Sequence, residues 1–262
     1  MISAPEVGPN LVSAARLIAV AADQGARLVV LPEYFPTIGP SDATRLLARE
    51  ADGHGPLQDF LAAAAQRHGI WLVGGSIPLT AVHPDKLLNS CLVFDPAGQR
   101  VVRYDKIHLF GFSKGAETYD EAQTIEAGPA TPVVFEMTID GETLRVGLGI
   151  CYDLRFPELF RAMGPLDLIV LPAAFTDTTG RAHWEILLRA RAIENQCYVL
   201  ASAQGGHHPT GRMTHGNSMI IDPWGEILAR HDYGEGVVQA ALERERIAEI
   251  RTSLPALLHR RL

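Results

Sequence analysis

Short apolar runs rich in β-branched residues alternate with helix-spaced segments through most of this chain. That alternation confines it to an α/β layered fold. The first pair shows the pattern. NLVSAARLIAVAADQ (10–24) carries Leu11, Ala14, Ala15, Ile18 and Ala21 at helical spacing, with Asn10 placed to cap it. Gly25 ends that segment, and ARLVVLPE reads as a buried strand. Residues 56–68 read as a helix and WLVGGSIPL as a strand. NSCLVFDPAGQRVVRYDK reads as a hairpin turning at Asp95-Pro96-Ala97-Gly98.

The second half repeats the theme. LRVGLGIC is a strand, PELFRAM a short helix, LDLIVLPA a strand, RAHWEILLRARAIENQ a long helix and CYVLASAQ a strand. HGNSMIIDPWGEILAR is a second hairpin, turning at Asp222-Pro223-Trp224-Gly225. A strand near GVVQAAL and a helix over 243–253 close the chain. No Gly/Ser tract, charge block or low-complexity segment interrupts it, so residues 1–262 are expected to form one domain. LVVLPE (28–33) and LIVLPA (168–173) are nearly the same strand. Two similar halves facing each other would produce this echo, as would any two apolar strands that exit through proline.

Composition removes several function classes. Hydrophobic residues make up 47% of the 262 and charged residues 20%, which suits a buried core rather than disorder. A net charge of −7 gives no electrostatic case for binding nucleic acid or an anionic membrane. The three cysteines, Cys91, Cys151 and Cys197, are odd in number and widely spaced. A disulfide framework is therefore not expected, and without a CxxC pair neither is a structural zinc site. MISAPEVGPN lacks a basic segment followed by an apolar one, so no signal peptide is expected and the cytoplasm is the expected location.

Polar residues that end apolar strands are natural site candidates, because the strand fixes them and the loop exposes them. Glu33 follows VVLP, where partial desolvation would suit a general base; a surface loop glutamate is the alternative. Lys106 follows the second strand of the first hairpin, beside Ile107, Leu109 and Phe110, and could donate to an oxyanion or simply face solvent. Cys151 stands where GLGIC turns into YDLRFPE, ahead of a helix starting near Pro157. A cysteine there is either a small buried hydrophobe, the role expected of Cys91 and Cys197, or a nucleophile. Together the three supply a base, a cation and a nucleophile for covalent amide hydrolysis.

These segments resemble the nitrilase, or carbon–nitrogen hydrolase, superfamily over nearly the whole chain. LPEYF is similar to its glutamate motif, YDKIHLF to its lysine motif and GICYDLRFPELFR to its cysteine motif. The resemblance implies a four-layer αββα sandwich carrying a Glu–Lys–Cys triad, here Glu33, Lys106 and Cys151. EAQTIEAG is similar to a further glutamate motif and implicates Glu121. The family begins with a strand of the type AVVQM, and MISAP looks like the end of one, so the first strand is expected to be missing or truncated. AFTDTTGRAHWEILLRARAIENQCYV and AQGGHHPTGRMTHGNSMIIDPWGE look like the Nit-type amidases.

That branch implies hydrolysis of a terminal amide on a small carboxylate-bearing substrate resembling deaminated glutathione. An ω-amidase on α-ketoglutaramate-type substrates, an N-carbamoyl hydrolase and a nitrilase are the alternatives within the superfamily. A non-catalytic binding protein is the alternative outside it. Cys151 would form a thioester, with the backbone N–H of Tyr152 and Lys106 on the oxyanion. Candidates for the substrate carboxylate are Arg155, Arg181, His207, His208 and Arg212; for Arg155 a salt bridge to Asp153 or Glu158 is the structural alternative. The family needs no metal or cofactor, and a metal site at His207, His208 and His215 lacks a fourth ligand. Glu185 and Arg189 form an i,i+4 pair on a largely apolar helix that could lie at a subunit interface, in keeping with the homodimers and larger homo-oligomers of the family.

Overall fold

A computed structural model describes residues 1–41, 43–115 and 117–261. The first half runs α1 (Val7–Asp23), β1 (Leu28–Val30), α2 (Ala43–Leu47), α3 (Pro56–His68), β2 (Trp71–Val73), β3 (Ile77–Thr80), β4 (Leu87–Phe94), β5 (Arg100–Asp105), β6 (Gly111–Lys114) and β7 (Glu117–Asp120). The second runs β8 (Val134–Ile139), β9 (Glu142–Leu148), α4 (Pro157–Ala162), β10 (Leu168–Ala173), α5 (Asp177–Asn195), β11 (Tyr198–Ala203), β12 (Ser218–Ile221), β13 (Ile227–His231), α6 (Arg244–Ser253) and α7 (Ala256–His259). One sheet orders β1-β2-β4-β3, with β5 also paired to β4; the other orders β13-β12-β11-β10-β9-β8. Strands β6 and β7 form a separate hairpin.

The period-2 pattern explains the layers. On β2 and β4, Val73, Cys91 and Val93 point into a core shared with Val146, Leu148, Val170 and Val199 of the second sheet. Leu72, Leu92 and Phe94 point the other way, onto Leu17, Ile18, Leu57 and Leu61 of α1 and α3. Helices α4 and α5 cover the second sheet, where Trp184, Leu188 and Ala192 are fully buried. The result is the expected αββα sandwich. Burying Leu72 or Leu92 stabilises the fold by about 1.5–3 kcal/mol each, so the first sheet is fastened on its helix side as well as through the central core.

Local chemistry sets the boundaries. Helix α3 starts with Pro56 and is capped by Glu50, whose carboxylate accepts from Leu57 N at 2.6 Å and Gln58 N at 3.3 Å. Gly69 ends it in the left-handed conformation. The expected strand WLVGGSIPL is two strands. Gly75 breaks it at φ +57, and a Cβ there would lie 2.2 Å from the Pro32 carbonyl oxygen. Asn10 is not a cap: α1 begins three residues earlier. The buried Asn10 amide instead bonds Ala4 N, Ala4 O and Pro36 O, each at 2.8 Å.

The strand expected at GVVQAAL does not form; residues 235–243 carry no regular structure. Residues 1–6 form no strand either, and β1 ends its sheet with no neighbour on its outer side. A cleft of about 670 Å³ lies there, lined by Arg27–Pro32 on one side and Gly236–Leu242 on the other. Among the described residues GVVQAAL pairs with no strand, so its β-branched residues do not make one. No helix among the described residues is long and apolar enough to cross a membrane.

Candidate active site

Strand ends from both sheets converge on one point. Glu33 lies three residues past β1, Lys106 directly follows β5, Cys151 lies three past β9, and Ala174 directly follows β10. The echo between LVVLPE and LIVLPA thus places one strand in each sheet, and both exits reach the same pocket. Cys151 sits at φ +50, a conformation that costs a non-glycine residue energy and persists only where its surroundings enforce it.

Lys106 is 1% exposed and is held between two carboxylates. Its Nζ donates to Glu33 Oε1 at 2.9 Å and to Glu121 Oε2 at 2.8 Å and Oε1 at 3.1 Å. Asn89 Nδ2 also donates to Glu33 Oε1, at 3.0 Å. Glu121 is fixed further by Tyr34 OH at 2.7 Å and by Phe110 N at 2.7 Å. Burial works to strip Lys106 of its proton, but the charges of Glu121 and Glu33 outweigh it and hold the ammonium well above its ordinary range. Burial likewise raises Glu121, yet the Lys106 charge and the hydrogen bonds from Lys106, Phe110 N–H and Tyr34 OH leave it below the usual carboxylate value.

Cys151 behaves oppositely. Burial pushes its thiol well above the ordinary value, the Glu33 charge adds to this, and Lys106 and the Ala174 N–H only partly offset them. The thiol shares its pocket with the Glu33 carboxylate, whose charge favours the protonated form of the sulfur. A carboxylate so placed can accept a thiol proton, the arrangement that general-base activation of a sulfur nucleophile requires. Cys91 and Cys197 are wholly buried and outside the pocket, as expected.

The pocket at Cys151 encloses about 20 Å³, room for about one water. Its walls include Tyr34, Phe110, Tyr152, Phe175 and Thr179. Two of the five candidates for a substrate carboxylate line it, Arg155 and Arg212. Arg155 makes neither alternative salt bridge. Its Nη1 lies 3.2 Å from His183 Nδ1, and its guanidinium sits 5.7 Å from the Tyr152 ring and 5.4 Å from Phe175. The Arg212 guanidinium lies 5.7 Å from the Tyr119 ring, and its buried Nε has no hydrogen-bond partner among the described residues. Among the described residues neither arginine meets a carboxylate.

The other three candidates lie elsewhere. Arg181 is solvent-exposed and pairs with Asp177 at 2.7 Å, one turn away on α5. His207 points outward. His208 is structural: its Nδ1 lies 2.9 Å from Ser3 O and its Nε2 2.9 Å from Thr214 Oγ1. Burial lowers its pKa to about 4, so it carries no charge with which to meet an anion. Among the described residues no group of His, Cys, Asp and Glu could hold a metal. Sequence reasoning missed Asn89, Tyr34 and the Ala174 N–H. Asn89 left one signal, a polar residue inside the apolar strand LLNSCLVF.

Known proteins are similar to this chain over nearly its full length. The family model for carbon–nitrogen hydrolases matches residues 2–252. The deaminated glutathione amidase of Synechocystis sp. is 41% identical over 264 residues, covering 99% of this chain and 95% of that protein. The omega-amidase of Homo sapiens is 38% identical, covering 96% and 89%. Among solved structures, the C. elegans NitFhit protein superposes with a TM-score of 0.85 at 34% identity. All of this chain aligns there, spanning 63% of that longer protein. A fold, a strand-end site and a match over nearly the full length coincide, and the chain belongs to the carbon–nitrogen hydrolase family.

Proposed function

We propose that this chain, acting as one catalytic domain, hydrolyses the terminal amide of a small carboxylate-bearing substrate of the deaminated-glutathione type. Cys151 Sγ attacks the amide carbon while its proton passes to Glu33. Lys106 and the Tyr152 N–H hold the oxyanion of the tetrahedral intermediate. Glu33 returns the proton to the nitrogen, the C–N bond breaks, and ammonia leaves behind a thioester. Glu33 then takes a proton from water as it attacks the thioester, and the acid departs as the thiol is restored. Glu121 holds Lys106 in place and keeps it charged.

The observation that carries this reading is the arrangement at Lys106: one buried ammonium bonded to two carboxylates, both of which line the pocket that holds Cys151. Arg155 and Arg212 support a carboxylate on the substrate, because both face the pocket without an acidic partner among the described residues. An ω-amidase reading has its own support in the 38% identity to the omega-amidase of Homo sapiens. Both substrate types carry carboxylates, so the two arginines serve either.

We further infer a soluble, cytoplasmic homo-oligomer. Ile186 and Ile193 on α5 are 69% and 50% exposed, and Trp224 and Leu228 at the β12–β13 turn are 51% and 44% exposed. Ile193 lies against Gly225 of that turn, and Arg189, paired with Glu185 at 3.5 Å, donates to the Gly225 carbonyl, so helix and turn share a surface that suits a subunit contact. A panel of deaminated glutathione, α-ketoglutaramate, an N-carbamoyl amino acid and a nitrile ranks the readings by kcat/KM. The proposal expects deaminated glutathione to lead. A protein that releases ammonia from none of them, with Cys151 inert to alkylation, would be a non-catalytic binder.

A further inference from the structure

Asp153 is fully buried two residues beyond the nucleophile, and it does not line the pocket. Its carboxylate gathers four donors. Oδ1 accepts from His108 N at 3.1 Å and lies 2.7 Å from His108 Nδ1. Oδ2 accepts from Tyr104 OH at 2.7 Å and from Ile150 N at 2.8 Å. Those donors are not scattered. Tyr104 and His108 stand two residues either side of Lys106, and Ile150 immediately precedes Cys151. One carboxylate thus clamps the segment that presents the ammonium to the turn that presents the thiol.

The clamp is closed at both ends. Asp153 N donates to Ile150 O at 3.0 Å while Ile150 N donates back to Asp153 Oδ2. This reciprocal pair spans Cys151 and supports its positive φ. On the other side, the His108 ring stacks on Phe156 at 3.7 Å with 6° between planes, so the lysine segment is also held against the residue that leads into α4. An ionised carboxylate is acceptor-only and can take all four donors; an amide cannot, because its NH2 would face two of them.

We propose that Asp153 is a positioning residue for amide hydrolysis, holding Lys106 and Cys151 in mutual register through Tyr104, His108 and Ile150. It touches neither substrate nor the reacting atoms. A displacement of about 1 Å between nucleophile and oxyanion donor can lower a rate on the order of 100-fold. The inference rests on the roles given to Cys151 and Lys106 above. Its test therefore includes a readout that needs no substrate.

The variants are Asp153→Asn, Tyr104→Phe and His108→Phe, the last keeping the stack on Phe156. Each is assayed for kcat, KM and the iodoacetamide alkylation rate of Cys151, normalised to folded protein by circular dichroism. Asp153→Asn is expected to lose roughly 30- to 100-fold in kcat with KM within about threefold, and to alter the alkylation rate at least about fivefold. Tyr104→Phe and His108→Phe are each expected to lose about 3- to 10-fold in kcat at constant KM. A merely structural Asp153 would lower thermal stability and leave kcat and alkylation per folded molecule unchanged, which overturns the inference. If Asp153→Asn does not fold, the other two decide, and unchanged kcat and alkylation in both overturns it. If the wild type turns over no amide, the functional reading fails, and the alkylation rates still decide on Asp153.

Discussion

Replacing Lys106 by Met exposes the charge accounting at the centre of the site. In the wild type one ammonium faces two carboxylates, Glu33 and Glu121, each with an oxygen within 2.9 Å of the same Nζ. The carboxylates therefore lie within about 6 Å of each other, and like charges at that separation repel by about 3 kcal/mol at an effective dielectric near 20. Methionine has nearly the shape of lysine and none of its charge. The variant leaves two buried carboxylates without a cation, which costs about 3–5 kcal/mol of stability. For a chain of this length that lowers the unfolding temperature on the order of 10 °C. Activity falls more sharply: losing one oxyanion donor costs about 100- to 1000-fold in kcat. Adding Glu121→Gln to the same variant removes the surplus negative charge. Scanning calorimetry is expected to show the double variant more stable than Lys106→Met by at least ~1 kcal/mol, with ammonia release no faster. A Lys106→Met protein with kcat within about tenfold of wild type would refute the oxyanion role. A double variant no more stable than the single one would refute the charge accounting.

Three other outcomes follow from the same geometry. Arg155→Ala and Arg212→Ala should each raise KM for a carboxylate-bearing amide about tenfold while leaving a small neutral amide almost unaffected; equal effects on both substrates would count against carboxylate anchoring. Glu121 has a folded pKa below its unfolded value, so its contribution to stability is present above the ordinary carboxylate range and disappears as pH falls through the folded value. Unfolding temperatures measured between about pH 3 and pH 7 should therefore decline less steeply for Glu121→Gln than for wild type, and parallel curves would contradict the assignment. Gly75→Ala places a Cβ 2.2 Å from Pro32 O, at a φ of +57, one residue from the Glu33 turn. It should destabilise by at least ~2 kcal/mol in chemical denaturation, and a neutral effect would show that the turn can relax.

The layers were legible because their signals are local. Apolar alternation on β2 and β4, Pro56 and Gly69 at the ends of α3, and Asp-Pro turns in both hairpins each act within a few residues. Where reading failed, a distant partner decided. Asn10 has the chemistry of a cap, but Ala4 and Pro36 claim its side chain. GVVQAAL has strand composition and, among the described residues, no strand paired with it. The β6–β7 hairpin, GFSKGAETYD, lacks the alternation that would announce it.

The site divides the same way. Glu33, Lys106, Cys151 and Glu121 sit where apolar sequence turns polar or within a recognisable motif, and the fold brings all four together. Asn89, Tyr34 and Asp153 matter through contacts 56, 87 and up to 49 residues away in sequence, which no local pattern records. Arg155 and Arg212 were separable from Arg181 and His208 only by their surroundings. Arg181 had Asp177 one turn away on its own helix, and His208 was already enclosed by Ser3 and Thr214.

The central claim is that Cys151 carries the acyl group. Wild-type protein mixed with deaminated glutathione and quenched in acid within milliseconds, then weighed intact and mapped by peptide, tests it directly. The account expects an added mass equal to the substrate less ammonia, located on Cys151 and absent from Cys91 and Cys197, and no turnover by Cys151→Ala. Undiminished ammonia release by Cys151→Ala, or an acyl group found on another residue, would contradict it.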